Sequence, residues 1–352
     1  MTYKLKILNQ SFEQQYIDFI KGNDKFLWYC SLDYKRLLED YLKAKSIYFL
    51  VFSGNSIKAC LPLMQSKDAE LGFVINSLPF YGSNGSFLLN YDLDDSEKWK
   101  LMELLYKELL SYSEKNKIAA FTLITNPLDP SSKNYLEVQD GINNSDFRMG
   151  QITPLPNSSE ELIKLFKNPR PRNIRKAIKA NVKVRKSNDK KDFDFLSSTH
   201  RDNITYIGGK PKSDLFFQMV RENIPEKNYS LFIAEIDGIR ISALLVFYFN
   251  STIEYFTPCT LNNYRNYQAS ALLIFEAMKY AIDKNFKNWN WGGTWESQKG
   301  VYDFKKKWGS IDLNYYYFTK VYNPEILNQT SDKLLELYPN FYITSFSNLK
   351  NK

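Results

Sequence analysis

Cations at helical spacing are the first residues in this sequence able to do chemistry. In "RPRNIRKAIKANVKV", Arg172, Arg175, Lys176 and Lys179 recur at i, i+3, i+4 and i+7, while Ile174, Ala177 and Ile178 take another face. Such a stripe is stabilised by solvent or by a bound anion, and both readings stand at this point. Between residues 164 and 192 twelve cations meet only Asp189 and Asp192 as acids, so the segment should face something anionic. A second anion site is suggested by "PCTLNNYRNYQAS". A strand ends there near Pro258 or Cys259 and a helix begins near Ala269 or Ser270. Helix-start amides at Ala269 and Ser270, with Asn263, Arg265 and Gln268 beside them, suit a phosphate or pyrophosphate.

A third block, "NWNWGGTWESQKGVYDFKKKWGS" from Asn288 to Ser310, joins a strand to a short basic helix through Gly292 and Gly293. The glycines permit close backbone approach after a strand. Trp295 is a candidate pocket wall and Glu296 sits in the turn. Glu254, Glu296 and Asp303 are the candidate proton acceptors. Lys306 and Lys307 read as surface charge, with Asp303 to Lys307 at ion-pair spacing. The single histidine, His200, and three scattered cysteines, Cys30, Cys60 and Cys259, form no metal-ligand spacing and no disulfide framework. Metal-dependent and triad-type hydrolysis are therefore disfavoured, and a reducing cytoplasm is expected.

The elements that must position these groups come in two rhyming sets. "FSGNSIKACLPL" (Phe52 to Leu63) aligns without a gap on "IDGIRISALLVF" (Ile236 to Phe247), with identities at Gly54/Gly238, Ile57/Ile241, Ala59/Ala243 and Leu61/Leu245. Each reads as a β-hairpin followed by a strand, a long helix (about 96–116 and 268–285) and another strand. Ser158 and Glu161 have capping-box spacing, which starts a helix there. The longest apolar runs, Ile47 to Phe52 and Ala243 to Phe249, are strand-sized, so neither a signal peptide nor a membrane span is expected.

This order of elements resembles the GNAT acyltransferase superfamily. "PRNIRKAIKANVKV", the loop-helix at 258–270 and "NWNWGGTWESQKGVYDFKKKWG" look like its tandem branch, which holds the FemABX aminoacyltransferases and related acyl-CoA N-acyltransferases. "SLPFYGSNG", Ser77 to Gly85, resembles a first-half block of that branch. The resemblance spans roughly residues 40 to 318. It implies that Lys305, four residues before Gly309, lies at the reaction centre, where its ammonium stabilises the tetrahedral intermediate and the leaving group. Tyr302 is one turn earlier, and Glu254 completes the candidate catalytic set. Where ordinary members carry a glycine-rich phosphate loop, this chain has Asn266, Tyr267 and Gln268, so aminoacyl-tRNA stays open as an alternative donor to acyl-CoA.

The expectation is an α/β (α+β) chain of two tandem GNAT-like domains, each a mixed sheet flanked by helices. Residues 1–150 form the degenerate acceptor-side domain, 151–325 the donor-binding and catalytic domain, and 326–352 a tail. The expected activity is N-acyl transfer from acyl-CoA to an amine on an amino sugar or on a cell-envelope or surface-polysaccharide precursor, without metal. Aminoacyl-tRNA-dependent bridge formation is one alternative. A non-catalytic protein that binds anionic polymer or lipid is another. Arg172, Arg175 and Lys179 would hold phosphates of the donor or of a nucleotide- or lipid-linked acceptor, with Trp295, Glu296 and Tyr81 on the substrate side. Tyr81, with Gly82 and Gly85, is expected to cover an acceptor groove between the domains. The expected setting is cytoplasmic, at the inner face of the membrane where peripheral contact is made.

Overall fold

A computed structural model describes residues 2–21, 23–67, 70–80 and 82–350. The chain divides into two compact units, Met1–Arg148 with Asn314–Lys352, and Met149–Leu313. Each is an α/β unit built on a mixed sheet flanked by helices.

In the first unit the strands are β1 (Tyr3–Ile7), β2 (Lys45–Ser53), β3 (Ser56–Gln65), β4 (Phe73–Asn76), β5 (Leu88–Leu89), β6 (Ile118–Ile124) and the start of β7 (Asn144–Pro154). The helices are α1 (Glu13–Lys21), α2 (Leu32–Leu42), α3 (Asp95–Lys115) and α4 (Ser131–Leu136). Helix α3 starts on an Asp94 cap that accepts from the Glu97 amide, and lays Leu101, Leu105 and Leu109 into a core with Phe49, Leu61 and Phe121.

The second unit holds α5 (Ser159–Leu165), α6 (Arg170–Lys179), β8 (Lys183–Ser187), α7 (Lys190–Tyr206) and α8 (Asp214–Asn223). These are followed by β9 (Tyr229–Ile236), β10 (Ile239–Phe249), β11 (Thr252–Thr260), α9 (Ala269–Asp283), β12 (Asn288–Thr294), α10 (Lys299–Lys306) and β13 (Ile311–Asp312). Strand β14 (Tyr315–Val321) and α11 (Ser331–Leu337) belong to the first unit. The Ser158 hydroxyl accepts from the Glu161 amide at 3.2 Å and starts α5.

The rhyme in sequence is a rhyme in structure. Strands β2 and β3 form a hairpin turning at Gly54, β9 and β10 one turning at Asp237 and Gly238, both of which have positive φ (49° and 77°). In each unit the strand after the hairpin then pairs in parallel with the strand after the long helix, β4 with β6 and β11 with β12. Residues 314–352, read from sequence as part of the second domain and a tail, cluster with the first unit instead. Strand β14 is antiparallel to β6, Tyr338 and Leu334 are buried, and Asn76 exchanges two hydrogen bonds with the Tyr342 backbone, each at 2.7 Å. Such long-range pairing leaves no local periodicity.

In the second unit β7 from Met149 onward is followed laterally by β12, β11, β10, β9 and β8. Its core joins Leu272, Ile274 and Met278 of α9 to Trp289, Trp291 and Trp308, with Ile174 and Ala177 from α6. Ile178, expected beside them, is 56% exposed. Helix α6 has only ten residues and buries a narrow i, i+3 stripe, so its last turn faces water.

Candidate active site

Strands β11 and β12 pair over only three positions, Thr252 with Asn288, Ile253 with Trp289 and Glu254 with Asn290. Beyond that last pair both lose their regular registers. The β10–β11 ladder shifts so that Leu245 faces Thr257 and Val246 faces Tyr255, leaving Phe256 as an extra residue. The β12–β7 ladder shifts between Asn290 and Gly293. Each shift is a β-bulge, which bends a strand and frees backbone groups from the ladder. Gly292 takes φ +68°, the left-handed region that favours glycine.

Helix α10 brings Lys305 to these freed groups. Its side chain is 6% exposed, and Nζ donates to the carbonyl oxygens of Gly292 (3.3 Å) and Gly293 (3.0 Å) and to Thr294 Oγ1 (2.8 Å). Three acceptors match the three N–H bonds of an ammonium. No ion pair with a carboxylate is formed by Lys305 among the described residues. Burial lowers its pKa from 10.5 to about 8, so near neutral pH the group is a desolvated cation held by neutral dipoles. The helix is itself fixed to β7: Gln151 Nε2 donates to the Tyr302 carbonyl at 3.3 Å, and Thr153 Oγ1 to the Trp308 carbonyl at 3.1 Å.

Glu254 is 2% exposed, and its Oε2 accepts from Asn290 Nδ2 at 2.8 Å. It lies one residue before Tyr255, whose ring is 4.8 Å from Trp291 in an aromatic cluster that continues to Phe304, Trp308 and Phe166. The Arg170 guanidinium stands 4.3 Å over the Phe304 ring and 5.5 Å from Trp308, and desolvation lowers its pKa. Tyr302 points elsewhere: its hydroxyl donates to Asp312 Oδ2 at 2.9 Å, an acceptor shared with Lys306 at 2.8 Å. That hydrogen bond raises the Tyr302 pKa. The Lys306–Asp312 pair takes the place of the expected Asp303–Lys307 pair, which is not formed among the described residues.

At the end of β11, Asn263 and Arg265 are exposed within a 3-10 turn, Asn262–Tyr267, and Gln268 takes φ +60°. Helix α9 begins at Ala269, buried, and Ser270, half-buried, with no side-chain cap and no acid in its first turn. Arg172, Arg175 and Lys179 are all exposed on α6. Trp295, 49% exposed, and Glu296, exposed, lie in the turn between β12 and α10. Tyr81 lies outside the described residues. His200 is inside α7, 4% exposed, and its Nε2 accepts from the Lys212 amide at 3.2 Å, so it is a core histidine.

Thus Lys305 and Glu254 gather where β11 and β12 part, Asn263 to Ser270 stand at the far end of β11, and Tyr302 turns to Asp312. Sequence reasoning passed over Asn290 and Thr294, which hold the two site groups. The one signal for Asn290 was a polar residue between two tryptophans in a strand.

With this geometry in view, the comparisons bear on the second unit and on the fold. Residues 217–311 match the FemAB family. The match contains β11, α9, β12 and Lys305, so the resemblance to FemABX/GNAT-like tandem acyltransferases holds. The structure of FemX superposes with a TM-score of 0.73 at 14% identity, covering 92% of this chain and 98% of that one. A tandem GNAT protein from the clavulanic acid biosynthesis pathway gives 0.56 at 10% identity, covering 90% and 98%. L-PGS from Bacillus licheniformis gives 0.53 at 11%, covering 94% and 96%. At these identities the likeness is one of fold. No curated protein matches the sequence significantly. The chain thus has a fold of two GNAT-like units. Among the described residues no helix is long and apolar enough to cross a membrane, and no His, Cys, Asp or Glu cluster could hold a metal.

Proposed function

We propose that this FemAB-like chain transfers an acyl group from acyl-CoA to an amine of an amino sugar or of a cell-envelope or surface-polysaccharide precursor. The observation that carries the proposal is the Lys305 ammonium, buried with no carboxylate partner among the described residues and bound to the Gly292 and Gly293 carbonyls where β11 and β12 part. A buried charge held this way is costly unless it is used on a negative charge.

In the proposed reaction the amine attacks the thioester carbon, an N–C bond forms, and the carbonyl oxygen takes the negative charge. Lys305 stabilises that oxyanion, displacing its longest contact, the 3.3 Å bond to Gly292. The C–S bond then breaks and the sulfur leaves as thiolate. Glu254 is proposed to accept the amine proton, which returns through solvent to the thiolate. Phosphates of the donor are assigned to Asn263, Arg265, Gln268 and the amides of Ala269 and Ser270, because α9 starts without a cap or an acid. Arg172, Arg175 and Lys179 are assigned to phosphates of the acceptor or of a longer donor. Tyr302, its proton engaged by Asp312, is proposed to fix α10 to β13.

A second reading, aminoacyl-tRNA as donor, is favoured by one observation. The exposed cations of α6 and the 3-10 turn at 262–267, in place of a glycine-rich loop, suit a long phosphodiester better than a short pyrophosphate. The test compares the two donors directly. Acetyl-CoA that raises the melting temperature and supports transfer to UDP-linked amino sugars supports the first reading. Transfer only from charged tRNA to a muropeptide precursor replaces it with the second. Salt-sensitive retention on nucleic acid, without transfer from either donor, rejects both.

A further inference from the structure

Asn290 is 3% exposed and spends both ends of its amide. Nδ2 donates to Glu254 Oε2 at 2.8 Å, and Oδ1 accepts the Gly292 amide proton at 2.9 Å. A carboxylate can only accept and a backbone N–H can only donate, so the amide has one orientation that satisfies both partners. The second bond lies where the β12–β7 register breaks, and the Asn290 side chain supplies the partner that the ladder no longer gives Gly292. The carbonyl of that same Gly292, and that of Gly293, face Lys305 Nζ. The two bonds of Gly292, its N–H to Asn290 and its carbonyl from Lys305, lie on successive peptide groups joined at its Cα, so Glu254 is linked to Lys305 through Asn290 and the Gly292 backbone.

Resting on the reading of Lys305 given above, we propose that Asn290 is the positioning residue of this site. Its amide ties Glu254 to the bulge whose carbonyl oxygens aim the Lys305 ammonium. The other charges near α10 are Lys299, Asp303 and Lys306 on the helix itself, Lys307 at its C-cap, Asp312 on β13, paired with Lys306, and Arg170 on α6, over Phe304. Glu254 on β11 is the one that the Asn290 and Gly292 bonds connect to Lys305.

The test needs no substrate. Full-length protein is labelled with 13Cε-lysine, the Lys305 resonance is assigned by its loss in Lys305→Arg, and its titration is followed by NMR. In Asn290→Ala the carbonyls lose their aim and the Lys305 midpoint falls by about 0.7 pH unit, the equivalent of one neutral hydrogen bond. The exchanged pair Asn290→Asp with Glu254→Gln preserves both hydrogen bonds of the residue-290 side chain and moves the carboxylate one step nearer Lys305. Its midpoint should rise by about as much. If Asn290→Ala does not fold, the exchanged pair decides alone. Coincident titrations in wild type and the folded variants overturn the proposal. Failure of the catalytic reading is separate, since it would appear as undiminished acyl transfer by Lys305→Ala and leave these shifts in place.

Discussion

Lys305 Nζ donates to the Gly293 carbonyl at 3.0 Å, from helix α10 back onto the bulged strand that precedes it. This contact makes the strand irregularity and the buried cation one feature. The carbonyls of Gly292 and Gly293 lie past the last β11–β12 pair, and the lysine meets both. Its consequence for pH is direct. Because burial lowers the lysine to about 8, kcat/KM should fall as pH rises past that value. Steady-state rates from pH 6.5 to 9.5 check this, and Lys305→Arg should move any residual activity's alkaline limb upward.

The same shift predicts a stability slope. The folded value of about 8 lies below the ordinary 10.5, so between those values the unfolded chain binds the extra proton and stability rises with pH. The increment is on the order of 3 kcal/mol. Urea unfolding at several pH values should show this slope in wild type and a shallower one in Lys305→Met, where Lys212, lowered by burial to about 7, still contributes with the same sign.

His200 predicts an acid-side loss. Burial, then the nearby Lys212 charge, lowers it from 6.5 to about 4, so it is neutral in the fold and charged in the unfolded chain over that window. Stability should decrease by up to about 3 kcal/mol as pH falls from the upper to the lower value. His200→Gln keeps an acceptor for the Lys212 amide, and its urea midpoint should depend less on pH there.

Two glycines of the 288–310 block should respond differently to alanine. At Gly292 an added Cβ meets nothing within 4 Å, so Gly292→Ala bears only the cost of φ +68°, about 1–2 kcal/mol. At Gly309 (φ +77°) it would stand 2.8 Å from Leu165 Cβ and 3.2 Å from the Leu165 carbonyl oxygen. Gly309→Ala should therefore be the more destabilising by thermal unfolding.

Arg175 tests the stripe on α6. It is exposed, so Arg175→Ala should change stability by less than about 0.5 kcal/mol. If it meets a phosphate, affinity for coenzyme A or tRNA falls and the slope of log Kd against log salt drops by about 1. Unchanged affinity for both returns the stripe to solvent.

These expectations also mark what could be read without a structure. The hairpins at Gly54 and Gly238, the Ser158 cap and the α9 face follow from local pattern, and the structure contains them. Lys305 was singled out from its two lysine neighbours by resemblance, and it is buried while Lys306 pairs with Asp312. What escaped was non-local. The pairing of β14 with β6 joins residues far apart in the chain, and Tyr302 was drawn to Asp312 by β13 folding back on β7. Asn290 acts through a parallel neighbour 36 positions away, a distance that no periodicity reports.

The most direct measurement is rapid-quench acyl transfer by Lys305→Ala at saturating donor, using whichever of acetyl-CoA or charged tRNA the wild type accepts. The account predicts a rate of the chemical step lower by about 100-fold or more, with donor Kd within about threefold of wild type. A variant that transfers at the wild-type rate would contradict it and remove the Gly292–Gly293–Lys305 cluster from the reaction.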